Sequence, residues 1–353
     1  MTTFVQLHLL TTYGPSNPNR DDQGRPKQAM VGGSPRLRMS SQSIKRALRE
    51  STFFALDLKD HLGTRTKRLF ERIVAYLEEK NVPAEKARNA STQVAGIFGK
   101  LEKPKDGNTI ASTLAFISPQ EWQLAKELTD KIVNGDDLPK EKELKKAVLR
   151  KADGAIDIAM FGRMLADDAD FNRDAAVQVA HAMTTHAAQS EEDWFSAVDD
   201  LNKKADTGAG HLGETAFGSG VYYQYVCINV DLLVKNLSGD KELAAKGIEA
   251  FARAIAQTAP GGKQNSFAHH PRAHYVLAEQ GTQPPRDLSG AFFTAVKAPN
   301  LLDASVEALK KTRSDIDQAY GQSWASDCVM QVGSDGNTLN DIVKFAGDAV
   351  RGQ

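Results

Sequence analysis

A segment rich in serine and basic residues, between positions 36 and 49, carries the side chains that an anion-binding site needs. It reads RLRMSSQSIKRALR, and its apolar residues from Ile44 onward follow helical spacing, so a helix should begin near Ser40. The free N–H groups and the dipole at a helix start attract anions. Lys45 and Arg49, four positions apart, share one face of that helix. We therefore predict that this helix start holds phosphate groups; a serine-capped helix with a solvated basic face is the alternative.

A glycine-rich stretch at residues 206–220, DTGAGHLGETAFGSG, predicts a long, mobile hairpin. It lacks the Gly-Lys-Ser/Thr ending of a phosphate-binding P-loop. Its GxGxxG spacing at 208–213 follows no apolar strand and precedes no helical pattern, which excludes a dinucleotide fingerprint. On such an arm His211, Leu212 and Phe217 would wedge between stacked nucleobases. An ordinary surface loop is the alternative.

Residues suited to catalysis or metal binding do not form a recognisable set. The aspartate pairs at 21–22, 167–168 and 199–200 are more typical of helix caps and solvated charge than of metal ligands. The spacing of Cys227 and Cys328 is not that of metal ligands, and no Ser-His-Asp or Cys-His arrangement can be read. We expect a protein that is not an enzyme and that has no metal or other cofactor.

Charge is segregated along the chain although the net charge is only −1. Residues 20–49 contain eight basic and two acidic residues, whereas residues 151–200 contain three basic and eleven acidic ones. A basic face suits a polyanion, and an opposite-signed face suits head-to-tail association of copies. Solvated surface is again the alternative.

The composition is that of a globular protein, with 353 residues of which 41% are apolar and 25% charged. Only two cysteines are present, as expected in a reducing compartment. The first residues lack the basic region of a signal peptide, and no apolar run of about 18 residues occurs. We expect a cytoplasmic protein with no membrane partner.

The elements that would position these residues alternate between strand and helix. Phe4 to Thr11 is predicted as a strand, residues 59–151 as mostly helical, and residues 156–164 and 176–186 as strands. The segment from Val221 is the clearest strand, and helices are expected near 241–258, 303–317 and 338–350. The fold class is therefore α+β, with a helical insertion.

Several motifs, taken in order, resemble the backbone subunit of the type I-E CRISPR Cascade complex, the CasC family of the RAMP superfamily. The matching stretches are NRDD at 19–22, Lys27, GG at 32–33, RxRxSSQSxKRAxR at 36–49, GRM at 162–164, AHAxTTH at 180–186, DWFxAVDDL at 193–201, HLG at 211–213, SGVYYxY at 219–225 and PGGKQNSFA at 260–268. The resemblance is weak between about residues 59 and 152 and after about residue 272.

The resemblance implies a hand-like architecture. An RRM-like (ferredoxin-like) palm would comprise residues 1–58, the strand at 181–189 and residues 223–353. Residues 59–180 would form an inserted domain of helical fingers. Residues 190–222 would form a long thumb hairpin.

The resemblance also implies a function without catalysis. Several copies would polymerise along the spacer of a CRISPR RNA, displace bases at regular intervals and present the others to a target DNA strand, beside other Cascade subunits. The implied RNA contacts are Arg20, Lys27, Ser40, Ser41, Gln42, Lys45, Arg46, Arg49, Met164, Trp194, Phe195, His211, Leu212 and Phe217. The implied DNA contacts are Lys140, Lys142, Lys145, Lys146 and Lys151.

Two other functions stay open at this point. Some related backbone subunits of other CRISPR types are metal-dependent ribonucleases, and Asp199 or Asp200 would then be the catalytic aspartate. A generic oligomerisation module, which would assemble without RNA, is the other.

Overall fold

The structure is a computed structural model that describes residues 1–102, 109–165, 168–197 and 211–352. Its strands are β1 (Phe4–Ser16), β2 (Gln28–Val31), β3 (Ser34–Met39), β4 (Thr64–Thr66), β5 (Leu101–Glu102), β6 (Ile110–Ala111), β7 (Ala115–Ile117), β8 (Val177–Val179), β9 (Ala182–Thr184), β10 (Glu191–Ala197), β11 (His211–Asn229), β12 (Ala273–Gly281) and β13 (Ser326–Gln331).

The α-helices of the described residues are α1 (Ser41–Arg49), α2 (Thr52–Asp57), α3 (Leu69–Glu79), α4 (Ala84–Ile97), α5 (Pro119–Asn134), α6 (Glu141–Val148), α7 (Ile156–Phe161), α8 (Val230–Asn236), α9 (Lys241–Gln257), α10 (Gln264–Phe267), α11 (Leu301–Tyr320) and α12 (Leu339–Arg351). The expectation of a mixed α and β fold is therefore confirmed.

One nine-stranded sheet dominates the fold. Its strand order is β13-β12-β1-β11-β9-β3-β2, with β8 and β10 also paired to β11. The pairings of β12 with β1 and β13, and of β9 with β11 and β3, are antiparallel. The segment predicted as the clearest strand lies in β11, at the middle of this order.

β1 is buried on both of its faces from Val5 to Leu10, a segment in which four of the six side chains are aliphatic. The two polar side chains of that segment, Gln6 and His8, are 3% and 0% exposed. Both have partners across the sheet: the Tyr225 hydroxyl donates to Gln6 Oε1 at 2.7 Å, and the Tyr223 hydroxyl lies 2.9 Å from His8 Nδ1. Buried polar groups that are paired in this way do not carry the full cost of desolvation.

The chain divides into two compact units. The first, here called the sheet unit, comprises Met1–Ala55, Gln178–Ile228 and Ile248–Gln353. Part of its core lies between the sheet and the segment from Leu288 to Leu309. The second, here called the helical unit, comprises Leu56–Val177 and Asn229–Gly247. In the helical unit, apolar side chains of α3, α4 and α5 form a separate core.

The prediction of a strand at residues 156–164 is wrong, because residues Ile156–Phe161 form the helix α7. Every residue of α7 is buried, including Asp157, so the helix has no exposed polar face and its sequence shows no helical periodicity. The second predicted strand, at 176–186, is present as two short strands, β8 and β9.

Candidate nucleic-acid interface

The start of α1 is built as the sequence predicts. Ser40 caps the helix: its hydroxyl accepts a hydrogen bond from the Ser43 N–H at 3.3 Å, and its own N–H donates to Asn19 Oδ1 at 2.8 Å. The first turn contains no acidic residue, so no carboxylate competes with an anion for the N–H groups there. Ser40 is buried and its hydroxyl is used inside the chain, which makes it a positioning residue for the helix start.

The remaining side chains of α1 divide by exposure. Ile44 and Leu48 are buried and anchor the helix. Three of the predicted RNA contacts are half-buried, namely Ser41, Lys45 and Arg49. Two others are exposed, namely Gln42 and Arg46. The helix therefore presents amide, hydroxyl and cationic groups outward from an apolar anchor.

The loop before β2 brings further cations to this helix start. Asn19, whose side chain holds the Ser40 N–H, also accepts through its carbonyl a hydrogen bond from the Lys27 N–H at 2.9 Å. The Lys27 carbonyl in turn accepts from the Arg38 N–H at 2.7 Å. The backbone of Lys27 therefore lies beside the helix start, together with Asn19 and the backbone of Arg38. In the sequence, Asn19 belongs to the NRDD motif, and Arg38 is the second arginine of the RxRxSSQS motif.

Arg20 lines a pocket of about 360 Å³ beside this loop. The same pocket is lined by two more cations, Arg25 and Lys263, and by Glu192 and Glu214. Arg25 forms an ion pair with Glu192 at 2.7 Å, and a hydrogen bond with Glu192 raises the pKa of Glu214. Lys263 was not predicted as a site residue, although the PGGKQNSFA motif contains it.

Arg38 and His181 form a second contact that the sequence did not predict. Arg38 Nη1 donates to His181 Nδ1 at 2.8 Å. Partial burial lowers the pKa of His181, and the positive charges of Arg38 and Lys27 lower it further. Three cationic or titratable groups therefore lie close together at this point of the surface.

A β-hairpin lies within residues 190–222, the segment that the resemblance assigns to a thumb. β10 pairs antiparallel with the first part of β11, from Glu191 opposite Phe217 to Ala197 opposite His211. Trp194 is 71% exposed and Phe195 is 47% exposed, unusual values for aromatic side chains. Phe217 is half-buried, with its ring centroid 6.0 Å from that of Phe267.

Part of the predicted thumb site lies outside the described residues. This holds for residues 198–210, which include Asp199 and Asp200, and for the side chains of His211 and Leu212. Gly213 lies in β11, where a Cβ atom would collide with the ring of Phe195. A larger residue there would displace the aromatic ring from its present position.

The predicted contacts of the helical unit lie around α6 and the GRM motif. Met164 is 82% exposed, and Lys140, Lys146 and Lys151 are exposed. Lys145 is half-buried and its ammonium lies 3.0 Å from a carboxylate oxygen of Asp168, so it is the least suited of these lysines to contact DNA. The side chain of Lys142 lies outside the described residues.

The described residues include neither a cluster of metal-ligating side chains nor a membrane-spanning helix. No group of three or more histidine, cysteine, aspartate or glutamate residues there is placed to hold a metal ion. No helix in the described ranges is both long and apolar enough to cross a membrane.

Comparison with known proteins identifies the family. The model of the CT1975-like proteins matches residues 5–349. The chain belongs to this CT1975-like family. None of the curated proteins matches it.

Two solved structures resemble this CT1975-like chain over almost its full length. A chain of a "CRISPR RNA-guided surveillance complex, pre-nicking" is 29% identical with a TM-score of 0.83, and the match covers 97% of this chain and 100% of that one. A chain of a "CRISPR RNA-guided surveillance complex" is 26% identical with a TM-score of 0.73, covering 99% of this chain and 100% of that one.

Proposed function

We propose that this CT1975-like chain is the RNA-binding backbone subunit of a CRISPR RNA-guided surveillance complex of the type I-E Cascade kind. Family membership and the likeness to chains of two CRISPR RNA-guided surveillance complexes support a place in a complex of that class. The motifs at 36–49 and 193–201 support the type I-E kind. The helix start of α1, with Lys27 and Arg38 tied to it through Asn19, is the observation that carries the RNA-binding role.

The chemistry of this surface suits a guide RNA whose sequence varies. Ammonium, guanidinium, amide and N–H groups grip phosphate and sugar, and such contacts position a strand without reading its bases. A guide must leave its Watson–Crick edges free for the target strand. A surface made of these groups therefore holds spacers of any sequence.

The parts of the fold then take distinct roles in the proposal. The sheet unit is the RRM-like palm, the helical unit supplies the fingers, and the β10–β11 hairpin is the thumb. Bases are contacted or displaced by four apolar side chains, namely Phe217, Met164 and the exposed Trp194 and Phe195. Copies associate along the RNA through their oppositely charged surfaces, and the exposed lysines around α6 contact target DNA.

In this proposal the subunit binds RNA without cleaving it. Non-covalent binding of the phosphate groups does not require cleavage of the RNA backbone. Incubation of the chain with target RNA and magnesium should leave the RNA intact. Regularly spaced cuts that disappear in Asp199→Ala would instead establish a ribonuclease.

The double variant Lys45→Ala/Arg49→Ala tests RNA binding at α1. Loss of two phosphate contacts should weaken binding of a mixed-sequence single-stranded RNA. It should also make the slope of log affinity against log salt shallower, by about 0.7 for each contact on a single strand. Titrations at several salt concentrations measure both effects, and circular dichroism checks the fold.

The matched control is Lys310→Ala/Lys311→Ala on α11 of the same unit. It removes two exposed positive charges that pair with Glu307 and Asp315. RNA affinity and salt slope should stay as in the unmodified chain. Equal losses in the two double variants would mean that only net charge matters, and unchanged binding in a folded Lys45→Ala/Arg49→Ala would refute the site.

A further inference from the structure

A pocket of about 360 Å³ opens on the sheet unit beside the Arg38–His181 contact. This volume lies within the range of about 300–1,000 Å³ that is usual for small-ligand sites. Its lining comes from β3, from β9 and the two residues before it, from β11, and from residues 287–289. The lining residues are Arg38, Ala180, His181, Met183, Tyr223, Tyr225, Asp287 and Ser289.

The first end of the pocket is cationic and ready to bind an anion. Both Arg38 and Lys27 lie near His181, and neither forms an ion pair with a carboxylate of the described residues. Because His181 Nδ1 accepts from Arg38, the proton of the neutral imidazole lies on Nε2. That N–H has no partner among the residues described and is a further donor for an anion.

The middle of the pocket has a rigid aromatic wall. The Tyr225 hydroxyl donates to Gln6, and its ring lies 5.0 Å from the ring of His8, so the side chain is held in place. The Tyr223 hydroxyl accepts the Leu288 N–H at 3.0 Å. Tyrosine faces held in this way are stacking platforms for unpaired bases.

The other end of the pocket accepts hydrogen bonds. Asp287 is exposed, and its Oδ1 already accepts from the N–H and the hydroxyl of Ser289. Its second carboxylate oxygen has no partner in the described part of the chain. An amino or imino group of a nucleobase is a suitable donor for it.

We propose that this pocket receives one unstacked nucleotide of the bound RNA, with its phosphate on Arg38, His181 and Lys27 and its base against Tyr225. The proposal rests on the RNA binding proposed above. A nucleotide has the same three parts in the same order: an anion, a flat π-face and an edge with N–H donors.

Continuity with α1 explains why the nucleotide belongs to the strand held there. Arg38 precedes the helix cap Ser40 by two residues, and Lys27 is hydrogen-bonded to Asn19, which holds that cap. A strand whose phosphates lie on the start of α1 therefore passes the cationic end of the pocket. A base that leaves its stack at that point can enter the pocket.

Photocrosslinking of the full chain to RNA tests the proposal. A single-stranded RNA carries one 4-thiouridine, moved along the strand from one preparation to the next, and the crosslinked peptides are identified by mass spectrometry. At some positions the adduct should fall on Met183 or Tyr225. Ala180→Leu, which fills the pocket, should reduce that adduct at least about fivefold, the loss expected for one stacking contact.

Arg38→Gln/His181→Gln is the second variant, because it leaves the aromatic wall unchanged. It should weaken RNA binding about tenfold through the lost phosphate contacts and reduce the same adduct. Circular dichroism and the unchanged binding of Lys310→Ala/Lys311→Ala provide the controls.

Failure of this proposal differs from failure of RNA binding itself. If RNA binds and depends on Lys45 and Arg49, but no position crosslinks to the pocket, the pocket assignment is overturned and the proposed function stands. If the unmodified chain binds no RNA at all, both are overturned. Adducts on the pocket that Ala180→Leu leaves unchanged also overturn the assignment.

Discussion

Two groups of arginines in this molecule have opposite environments. In the helical unit, Arg163 and Arg173 are fully buried and lie 2.5 Å and 2.7 Å from the carboxylates of Glu121 and Asp153. Around α1 in the sheet unit, Arg46 is exposed, and Arg38 is half-buried without a carboxylate partner among the described residues. An arginine with a dedicated buried carboxylate stabilises the fold, whereas one without it is available to an external anion.

The largest effect should come from breaking a buried pair. Arg173→Met leaves the Asp153 carboxylate buried without its partner, and such changes cost about 3–5 kcal/mol of stability. The Arg173 guanidinium now lowers the pKa of Asp153 against the effect of burial, which would raise it. Urea unfolding measures the loss.

The paired variant Arg173→Met/Asp153→Leu separates charge from packing. Removing both charges should restore much of the stability, because no unpaired ion remains. If the paired variant is as unstable as Arg173→Met alone, packing and not the ion pair explains the loss.

Acid titration tests whether a buried carboxylate in the sheet unit also depends on its arginine partner. Burial would raise the pKa of Glu279, but hydrogen bonds from His8 and Arg286 and their charges lower it from 4.5 to about 2. The stabilisation, about 3 kcal/mol, is complete above pH 4.5 and is lost as the pH falls towards 2.

Arg286→Met should shift that acid loss to higher pH, since the carboxylate loses a main partner. Unfolding followed at a series of pH values measures the shift. An acid transition at the same pH in Arg286→Met and in the unmodified chain would contradict this account of Glu279.

The smallest effect on stability should come from Arg46→Ala. Arg46 and its partner Glu50 are 76% and 61% exposed, and such pairs contribute at most about 0.5 kcal/mol. The same substitution should lower the salt slope of RNA binding by about 0.7. A stability loss above about 1 kcal/mol would mean that the surface cations also support the fold.

Local patterns were sufficient to predict some elements. The start of α1 and its serine cap are confirmed. A capping box of equally short range, formed by Ser118 and Glu121, begins α5. In both places the residues that fix the structure are within three positions of each other. The buried segment at 156–161 was misread because uniform burial removes periodicity.

Contacts between distant parts of the chain could not be predicted. Arg36 was counted with the basic residues, yet it is 1% exposed and donates to the carbonyls of Thr184 and Phe292. Arg38, two residues later, meets His181 at the surface. The two arginines have the same local sequence context, and only the sheet pairing, across more than 140 residues, separates them.

The length of β11 has a consequence for how this chain tolerates insertions and deletions. One uninterrupted strand of 19 residues forms both the hairpin with β10 and the middle of the sheet. Side chains alternate between the two faces of a strand. Adding or removing one residue near Gly218 would therefore turn every side chain of the hairpin part of β11 to the opposite face. Chain length at this junction should therefore vary in pairs of residues, or not at all.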